Sequence, residues 1–226
     1  MVTPELEQRL RNLVDVFLQE HSVHNLSAVR DHERCWTGNV EDSLAAMTLP
    51  ELASLPQGSR FLDLGTGGGF PLLVLAICFP DHAFVGIDST RKKIDAVGRM
   101  AKTMEIQNVE LLSGRAEELA RDATLRDRFD MVLARALAPL NVLIEYTAPF
   151  TRSGGRIIAW KSLQIDQELE DCRRARSELA VKLERSHPYE LPGEFGERQL
   201  LVLQKTAPTP KKYPRPVGTP KKSPLV

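Results

Sequence analysis

The stretch DLGTGGGFP, residues 63–71, is a glycine-rich turn between a predicted strand and a predicted helix, and this unit decides the fold. Phe61 and Leu62 precede it, and the apolar run LLVLAICF follows it. A glycine-rich turn between a strand and a helix places bare backbone or helix-end amides against a ligand. We therefore expect a ligand site at this turn, and the glycine spacing indicates the ligand class.

The spacing favours S-adenosylmethionine over a dinucleotide or a nucleoside triphosphate. Gly65, Gly67 and Gly69 follow the pattern G-x-G-x-G, whereas the dinucleotide pattern G-x-G-x-x-G requires glycine where Phe70 stands. The chain also lacks the G-x-x-x-x-G-K-[ST] loop that cradles phosphates. A helix starting at Phe70 would direct partial positive charge toward the cofactor's carboxylate. From this geometry we predict cofactor contacts at Gly67 and Gly69.

Asp88 is the second candidate in this site. It ends the second predicted strand, 23 residues after Gly65, where a carboxylate can accept both ribose hydroxyls of an adenosine ligand. NAD would use the same residue, so Asp88 does not discriminate between the cofactors. An N-cap for the helix that follows at TRKK is the alternative role.

From Arg60 onward, short apolar runs alternate with helical stretches, a pattern typical of a parallel sheet covered on both faces. An amphipathic helix opens the chain, with Thr3 and Pro4 at its start. Six apolar runs predict strands, at residues 61–65, 83–88, 109–113, 129–134, 155–160 and 198–205. Helices are predicted at residues 70–79, 90–104, 139–150 and 165–180.

The composition is that of an ordinary globular protein, with 42% hydrophobic and 27% charged residues. No apolar run is long enough to cross a bilayer, and the first residues lack a secretory signal. Cys35, Cys78 and Cys172 have no C-x-x-C spacing, so we expect neither a disulfide framework nor a metal site. These features predict a cytoplasmic protein without a membrane span.

The C-terminal end is basic and rich in proline. Six of the 30 basic residues and six of the 15 prolines follow residue 204, with no acidic residue among them. Such a composition favours extended conformations over a buried core. We expect three units: a helical segment at residues 1–58, a cofactor-binding domain at residues 59–205, and a basic arm outside the domain at residues 206–226.

Several separated motifs make the sequence similar to the ribosomal RNA small subunit methyltransferase G family, also called glucose-inhibited division protein B. They cover most of the chain in family order: NLSAVRD, EDSL, DLGTGGGFP, DSTRKK, NVELLSGRAEEL, FDMVLARALAPL, GERQLLVL and KKYPRPVGTPKKSPL. The resemblance implies a Rossmann-like class I methyltransferase of the α/β class. Its sheet would be mostly parallel and seven-stranded, with helices on both faces and an N-terminal helical segment.

The resemblance also implies an activity, the transfer of a methyl group from S-adenosylmethionine to N7 of a guanine in 16S ribosomal RNA. The partner would be the small ribosomal subunit, and the enzyme is expected to be a monomer. The implied cofactor contacts are Gly65, Phe70, Ala116, Glu117 beside the adenine, and Arg135. The chain departs from the family pattern at Asn39, where histidine is usual, and at Leu72 and Val74, where glycine and proline are usual.

N7 of guanine carries a lone pair and no proton, so we predict no catalytic acid or base and only positioning roles, for Arg115 and Arg135. Arg135 has an alternative structural role as a partner of the core carboxylate Asp63. Basic residues near the site or in the arm are candidates for RNA binding: Lys92, Lys93, Arg115, Arg198, Lys211, Lys212 and Arg215. A small-molecule methyltransferase and a non-catalytic RNA-binding assembly factor remain the alternative functions.

Overall fold

The apolar runs predicted as strands lie in one sheet in the computed structural model, which describes residues 3–24 and 31–226. Met1, Val2 and residues 25–30, which include most of the NLSAVRD motif, lie outside this range. Within the described residues the strands are β1 (Arg60–Leu64), β2 (Ala83–Asp88), β3 (Val109–Ser113), β4 (Phe129–Arg135), β5 (Thr151–Lys161), β6 (Val181–Leu191) and β7 (Gly196–Lys205).

The α-helices are distributed along the whole of the described chain. They are α1 (Pro4–His24), α2 (His32–Cys35), α3 (Asp42–Leu44), α4 (Pro50–Ala53), α5 (Leu72–Cys78), α6 (Arg91–Thr103), α7 (Ala116–Leu119), α8 (Leu140–Thr147), α9 (Asp166–Asp171), α10 (Arg173–Glu178) and α11 (Thr219–Lys222). A π-helical turn at Trp36–Glu41 and a 3-10 turn at Ala45–Thr48 join the short helices near the start. In the described part of the chain, no helix has both the length and the apolar character needed to cross a bilayer.

The strand order is β3-β2-β1-β4-β5-β7-β6, with parallel pairing from β3 to β5. β7 runs antiparallel to both β5 and β6. The order reverses beside β1, between β2 and β4, and open α/β sheets bind ligands outside the carboxyl ends of the strands at such a point. The DLGTGGGFP turn follows β1 and therefore lies at this position.

The prediction of six strand runs missed β6. This strand lies at the edge of the sheet, and its side chains alternate between half-buried and exposed along most of its length. It also contains Pro188, a residue that sheets accept mainly at their edges. β6 therefore contains no contiguous apolar run, whereas the buried parallel strands do.

Successive residues of the central strands enter two different cores, one on each face of the sheet. Phe61 packs with α1, α5 and α6, whereas the next residue, Leu62, packs with α8 and α10. The alternation repeats in β4, where Met131 and Leu133 face the first core and Val132 the second. The predicted arrangement, a mostly parallel sheet with helices on both faces and a helical segment at the start, is confirmed.

The N-terminal segment shares the first core with the sheet. Leu10, Leu13 and Phe17 of α1 are buried there, and the Phe17 ring meets Phe70 edge-on at a centroid distance of 5.1 Å. Because Phe70 belongs to the glycine-rich turn, the opening helix supports that turn from behind.

Residues 206–226, which we call the C-terminal strap, pack on the domain. Tyr213 and Leu225 are each only 3% exposed. The Arg126 guanidinium donates hydrogen bonds to the carbonyl oxygens of Tyr213 and Thr209, at 3.0 and 2.9 Å. The prediction of an extended arm outside the domain is therefore wrong. Composition averages over the segment, whereas a few buried side chains and fixed hydrogen bonds are enough to order it.

Asp63 connects β1 to α5. Its Oδ2 accepts hydrogen bonds from the Thr66 hydroxyl at 2.8 Å and from the Leu72 amide at 3.2 Å. Its Oδ1 is buried and, in the described part of the chain, has no hydrogen-bond partner. Burial raises the pKa of this carboxyl from 3.8 to about 6, and the Thr66 hydrogen bond and the Arg135 charge limit the rise. The chain thus keeps a costly buried carboxylate in order to fix the start of α5.

We predict that the stability of the protein depends on pH through Asp63. Because its pKa is raised in the folded state, the protonated carboxyl stabilises the fold below about pH 3.8, and this contribution is lost as the pH rises through about 6. The free energy of unfolding of Asp63→Asn, minus that of the parent, should therefore increase by up to about 3 kcal/mol between acidic and neutral pH. Urea unfolding at several pH values measures this difference.

The control variant is Asp95→Asn, because the exposed Asp95 carboxylate pairs with Arg91 on the surface of α6. The free energy of unfolding of this control variant, minus that of the parent, should change little over the same pH range. A difference for Asp63→Asn that does not vary with pH would contradict the assignment of the raised pKa to Asp63.

Candidate cofactor site

A cavity of about 420 Å³ opens at the carboxyl ends of β1, β2 and β4. Most of the residues predicted to contact a cofactor line this cavity, namely Gly65, Gly67, Phe70, Asp88, Ala116, Glu117 and Arg135. Its walls also include residues that the sequence analysis did not single out, among them Thr66, Ala136, Leu137 and Tyr146. Thr66 lies between Gly65 and Gly67, and Ala136 and Leu137 follow Arg135, so their proximity in sequence to predicted contacts could have indicated them. Tyr146 enters the wall only through the fold.

The glycine-rich turn has a backbone conformation that explains its composition. Gly65 and Gly67 have positive φ angles of 79° and 53°, which residues with a side chain rarely adopt. A Cβ atom at Gly65 would lie 2.7 Å from the Leu137 side chain, so this position has no room for one. At Gly67 a Cβ atom would meet only the Gly65 carbonyl, at 3.7 Å. Bare backbone therefore faces the cavity at both positions.

Gly69 and the start of α5 differ from the prediction. Gly69 does not line the cavity, and a Cβ atom there would lie 2.9 Å from Leu73 of α5. The helix begins at Leu72 rather than at Phe70, and the Leu72 amide donates to Asp63. Gly69 thus permits the turn to pack on the helix. The helix start was predicted at Phe70, with its partial positive charge toward the cofactor's carboxylate; it lies two residues later, and its first amide has a partner inside the protein.

Asp88 organises the turn and also lines the cavity. Its Oδ2 accepts from the Gly67 amide at 3.0 Å, and its Oδ1 accepts from the Thr90 amide at 2.8 Å, just before α6. The N-cap residue of α6 is Thr90 rather than Asp88, so the capping role considered from the sequence is wrong, and Asp88 instead holds the amide of the cap residue. Each carboxylate oxygen can accept a second hydrogen bond, so Asp88 keeps the capacity to accept ribose hydroxyls.

Arg135 lines the cavity but is held by the N-terminal segment. Its guanidinium donates to the Gly38 carbonyl at 2.9 Å, to the Asn39 side-chain oxygen at 2.7 Å and to Asp42 Oδ2 at 3.0 Å. The suggested partner Asp63 is therefore not the residue that pairs with Arg135. Asn39, which stands where the family usually has histidine, supplies one of the three acceptors.

Asp42 joins the N-terminal segment to three strands. Besides the ion pair with Arg135 of β4, its carboxylate accepts from the Tyr189 hydroxyl of β6, and its carbonyl accepts from the Trp160 indole of β5 at 2.8 Å. The Asp42 side chain is only 2% exposed. The short helices of residues 32–53 are thus fixed against the end of the sheet where the cavity lies, at the carboxyl ends of β4 and β5.

Glu117 forms the opposite part of the cavity wall and is only 2% exposed. Its Oε1 accepts from the Arg115 guanidinium at 3.3 Å and from the Gly218 amide at 2.9 Å. Tyr146 lies nearby, and burial, followed by the Glu117 charge, raises the pKa of its hydroxyl. This corner is where the family resemblance places the adenine.

The predicted RNA-binding residues differ in their surroundings. Lys93 lines the cavity, whereas its neighbour Lys92 is exposed. Arg198 is half-buried near the start of β7, at the edge of the sheet that carries the cavity. Lys211 is exposed, but Lys212 pairs with Glu178 at 2.8 Å and Arg215 pairs with Glu145 at 2.6 Å.

The cavity has no thiol in its wall. Burial raises the pKa of Cys78 to about 12 and also raises that of Cys172, so neither thiol is prepared as a nucleophile. Cys172 is fully buried. No group of side chains suited to hold a metal ion occurs among the described residues.

We predict that Gly67→Val prevents cofactor binding, because the added side chain would extend from the turn into the cavity that Gly67 lines. The affinity for S-adenosylmethionine should fall by roughly a hundredfold or more, as expected when a preformed pocket loses the space for its ligand. Titration calorimetry measures this change.

Gly58→Val is the matched control. Gly58 also has a positive φ angle, of 79°, but it precedes β1 and an added Cβ atom there has open space. Both variants carry similar backbone strain, so only the loss of cavity space separates them. Equal loss of affinity in both would show that strain rather than occupied space is responsible.

Comparison with known proteins assigns the chain to a family. A sequence model described as rRNA small subunit methyltransferase G matches residues 6–192. The Ribosomal RNA small subunit methyltransferase G of Lactococcus lactis subsp. cremoris is 38% identical over 201 residues, which cover 89% of this chain and 83% of that protein.

Two solved structures share the fold at low sequence identity. A putative O-methyltransferase from Klebsiella pneumoniae aligns with a TM-score of 0.59 and 14% identity, over 86% of this chain and 90% of that one. Geranyl diphosphate C-methyltransferase from Streptomyces coelicolor A3(2), solved with S-adenosyl-L-homocysteine, aligns with a TM-score of 0.53 and 12% identity, over 74% and 79% of the chains. From the family match and the relative together, the chain belongs to the rRNA small subunit methyltransferase G family.

Proposed function

We propose that this protein transfers a methyl group from S-adenosylmethionine to N7 of a guanine in 16S ribosomal RNA. The observation that carries the proposal is the cavity at the carboxyl end of β1, lined by bare glycine backbone, Asp88 and Glu117 in a chain of this family. When bound, S-adenosylmethionine supplies an electrophilic methyl group on a sulfonium sulfur. The residues of the protein bind the two reactants, align them and exclude water.

The cavity suits the parts of this cofactor. Gly65 and Gly67 form part of the cavity wall, so the methionine part of the cofactor can lie against their backbone without an intervening side chain. Asp88 retains acceptor capacity for the ribose hydroxyls, and the corner of Ala116 and Glu117 takes the adenine. No element of the site is specialised for phosphate, in agreement with a cofactor that carries none.

The chemistry requires alignment rather than proton transfer. The N7 lone pair forms the new bond to carbon while the electron pair of the carbon–sulfur bond leaves with sulfur, which becomes a neutral thioether. No proton moves in this step, so no general base is needed. Asp88, Glu117 and Tyr146 line the cavity, but the proposed step has no proton for them to accept, so their role is to bind and position the reactants.

Ribosomal RNA, rather than a small molecule, is favoured by cations at and near the mouth of the cavity. Lys93 and Arg115 line it, Lys92 is exposed beside it, and Arg198 occupies the same edge of the sheet. We retain these four as RNA-binding residues. Folded RNA presents a target base by unstacking it from its neighbours, and phosphate contacts hold the strand in register.

The strap contributes fewer charges to RNA than its composition suggests. Lys205 is the buried last residue of β7, and Arg215 pairs with the buried Glu145, so these two are committed within the protein. Lys212 is exposed but pairs with Glu178. The other basic residues of this end of the chain are exposed: Lys211, Lys221 and Lys222. We keep the expectation that the enzyme works in the cytoplasm as a monomer.

Mapping methylated guanines in 16S ribosomal RNA, from cells with and without this gene, tests the reaction. Reduction followed by aniline treatment cleaves RNA at N7-methylguanine, and we expect one cleavage site that disappears on deletion. The Gly67→Val gene should fail to restore it, whereas Gly58→Val should restore it. If the Gly67→Val gene restored the cleavage site, the non-catalytic assembly factor would be favoured. If the cleavage pattern were the same with and without the gene, a small-molecule substrate would be favoured.

We also predict a defined salt dependence of binding to the small subunit. Replacing Lys221 and Lys222 with Met should lower the slope of log affinity against log salt by about 1.4 to 1.8, the value for two lost phosphate contacts. The control is Lys102→Met with Lys182→Met, two exposed lysines on α6 and β6. The same change in slope for both pairs would show that the strap has no special role in RNA binding.

A further inference from the structure

The C-terminal strap contacts the wall of the cavity at Glu117 and contacts Glu145, the sequence neighbour of the wall residue Tyr146. The Gly218 amide donates a hydrogen bond of 2.9 Å to Glu117, which lines the adenine corner. Arg215 donates from Nη2, Nε and its backbone amide to the carboxylate of Glu145, at 2.6 to 2.9 Å. Glu145 is fully buried on α8, and the next residue, Tyr146, lines the same corner.

Each contact satisfies a carboxylate that is almost or completely out of water. A buried carboxylate that loses its partner is strongly destabilising, so it moves, takes up a proton or admits water. Glu117 and Glu145 lie on two short helices, α7 and α8, and these helices present the corner residues Ala116, Glu117 and Tyr146. The position of the corner therefore depends on groups supplied by the strap.

We propose that the strap is a positioning part of the cofactor site, with Arg215 and Gly218 setting the adenine corner through Glu145 and Glu117. The inference rests on the proposed function, because that function places the adenine at Glu117. Neither Arg215 nor Gly218 lines the cavity, so both act through the residues that they hold. This assignment reverses the expectation that the strap lies outside the domain.

The strap also offers an internal comparison. Lys212 pairs with Glu178 of α10 at 2.8 Å, and no residue of α10 lines the cavity. Both ion pairs join the strap to the body of the protein. Only the pair between Arg215 and Glu145 includes a residue next in sequence to the cavity wall, because Glu145 precedes Tyr146.

The experiment measures the affinity for S-adenosylhomocysteine in two variants of the full chain. Arg215→Met with Glu145→Met removes one pair without leaving a buried charge. Lys212→Met removes the other pair, while Glu178 keeps Arg174 and the Tyr213 hydroxyl as partners. We expect the first variant to bind about tenfold more weakly, within the range usual for coupled sites, and the second to match the parent. Urea unfolding of each protein reports its stability in parallel.

A kinetic comparison separates positioning from general loss of structure. With RNA saturating, KM for S-adenosylmethionine should rise about tenfold in the Arg215→Met, Glu145→Met protein while kcat changes little, since the methyl group is not at the adenine corner. Arg215→Lys retains the charge without the two-pronged geometry and should have an intermediate KM. A folded first variant with the affinity and KM of the parent would overturn the proposal.

If the first variant does not fold, Gly218 provides the decisive pair. A Cβ atom at Gly218 has open space, so Gly218→Ala adds only the strain of a φ angle of 80° and keeps the amide. Gly218→Pro removes the donor to Glu117, and its ring holds φ at about −65° rather than at 80°, so it withdraws this part of the strap from the corner. We expect it to bind S-adenosylhomocysteine at least about fivefold more weakly than Gly218→Ala. Equal affinities would overturn the proposal.

These outcomes are distinct from failure of the proposed function. A parent protein that bound no S-adenosylhomocysteine, or that left ribosomal RNA unmethylated, would contradict the function itself. A parent that binds and methylates, with strap variants equal to their controls, would contradict only the role of the strap.

Discussion

Two aspartate side chains hold the turn between β1 and α5, and the cofactor site depends on them. Asp63 binds the Thr66 hydroxyl and the first amide of α5 from inside the protein, and Asp88 binds the Gly67 amide from the side of β2. Between these anchors Gly65 and Gly67 take positive φ angles and present bare backbone to the cavity. A turn without such anchors would lose this shape to conformational freedom, because glycine constrains it least of all residues.

The same arrangement suits the proposed reaction, which needs few special groups. A methyl transfer to a ring nitrogen without a proton is accelerated by alignment and by exclusion of water, so the relevant property of the site is rigidity. Rigidity is supplied from three directions: the opening helix through Phe17, the short N-terminal helices through Asp42, and the strap through Arg215. Each of these segments lies outside the alternating strand and helix pattern that forms the sheet.

The parts that the sequence predicted well are those with a local cause. The buried strands, the glycine-rich turn and Asp88 follow from apolar runs, glycine spacing and position at a strand end, and they lie where expected. The edge strand β6 and the packed strap were not predicted, because their order comes from partners distant in sequence. The partner of Arg135 was missed for the same reason, since Asp42 is 93 residues away and no local rule connects the two.

Asp42 illustrates what such distant support means for genetics. It does not line the cavity, yet its carboxylate and carbonyl tie the N-terminal segment to β4, β5 and β6 around Arg135. A screen for inactive alleles would therefore recover Asp42 together with residues that touch the ligands. A substitution at this position would inactivate the protein by loosening the N-terminal segment. Its phenotype alone would not distinguish it from a substitution in the wall of the cavity.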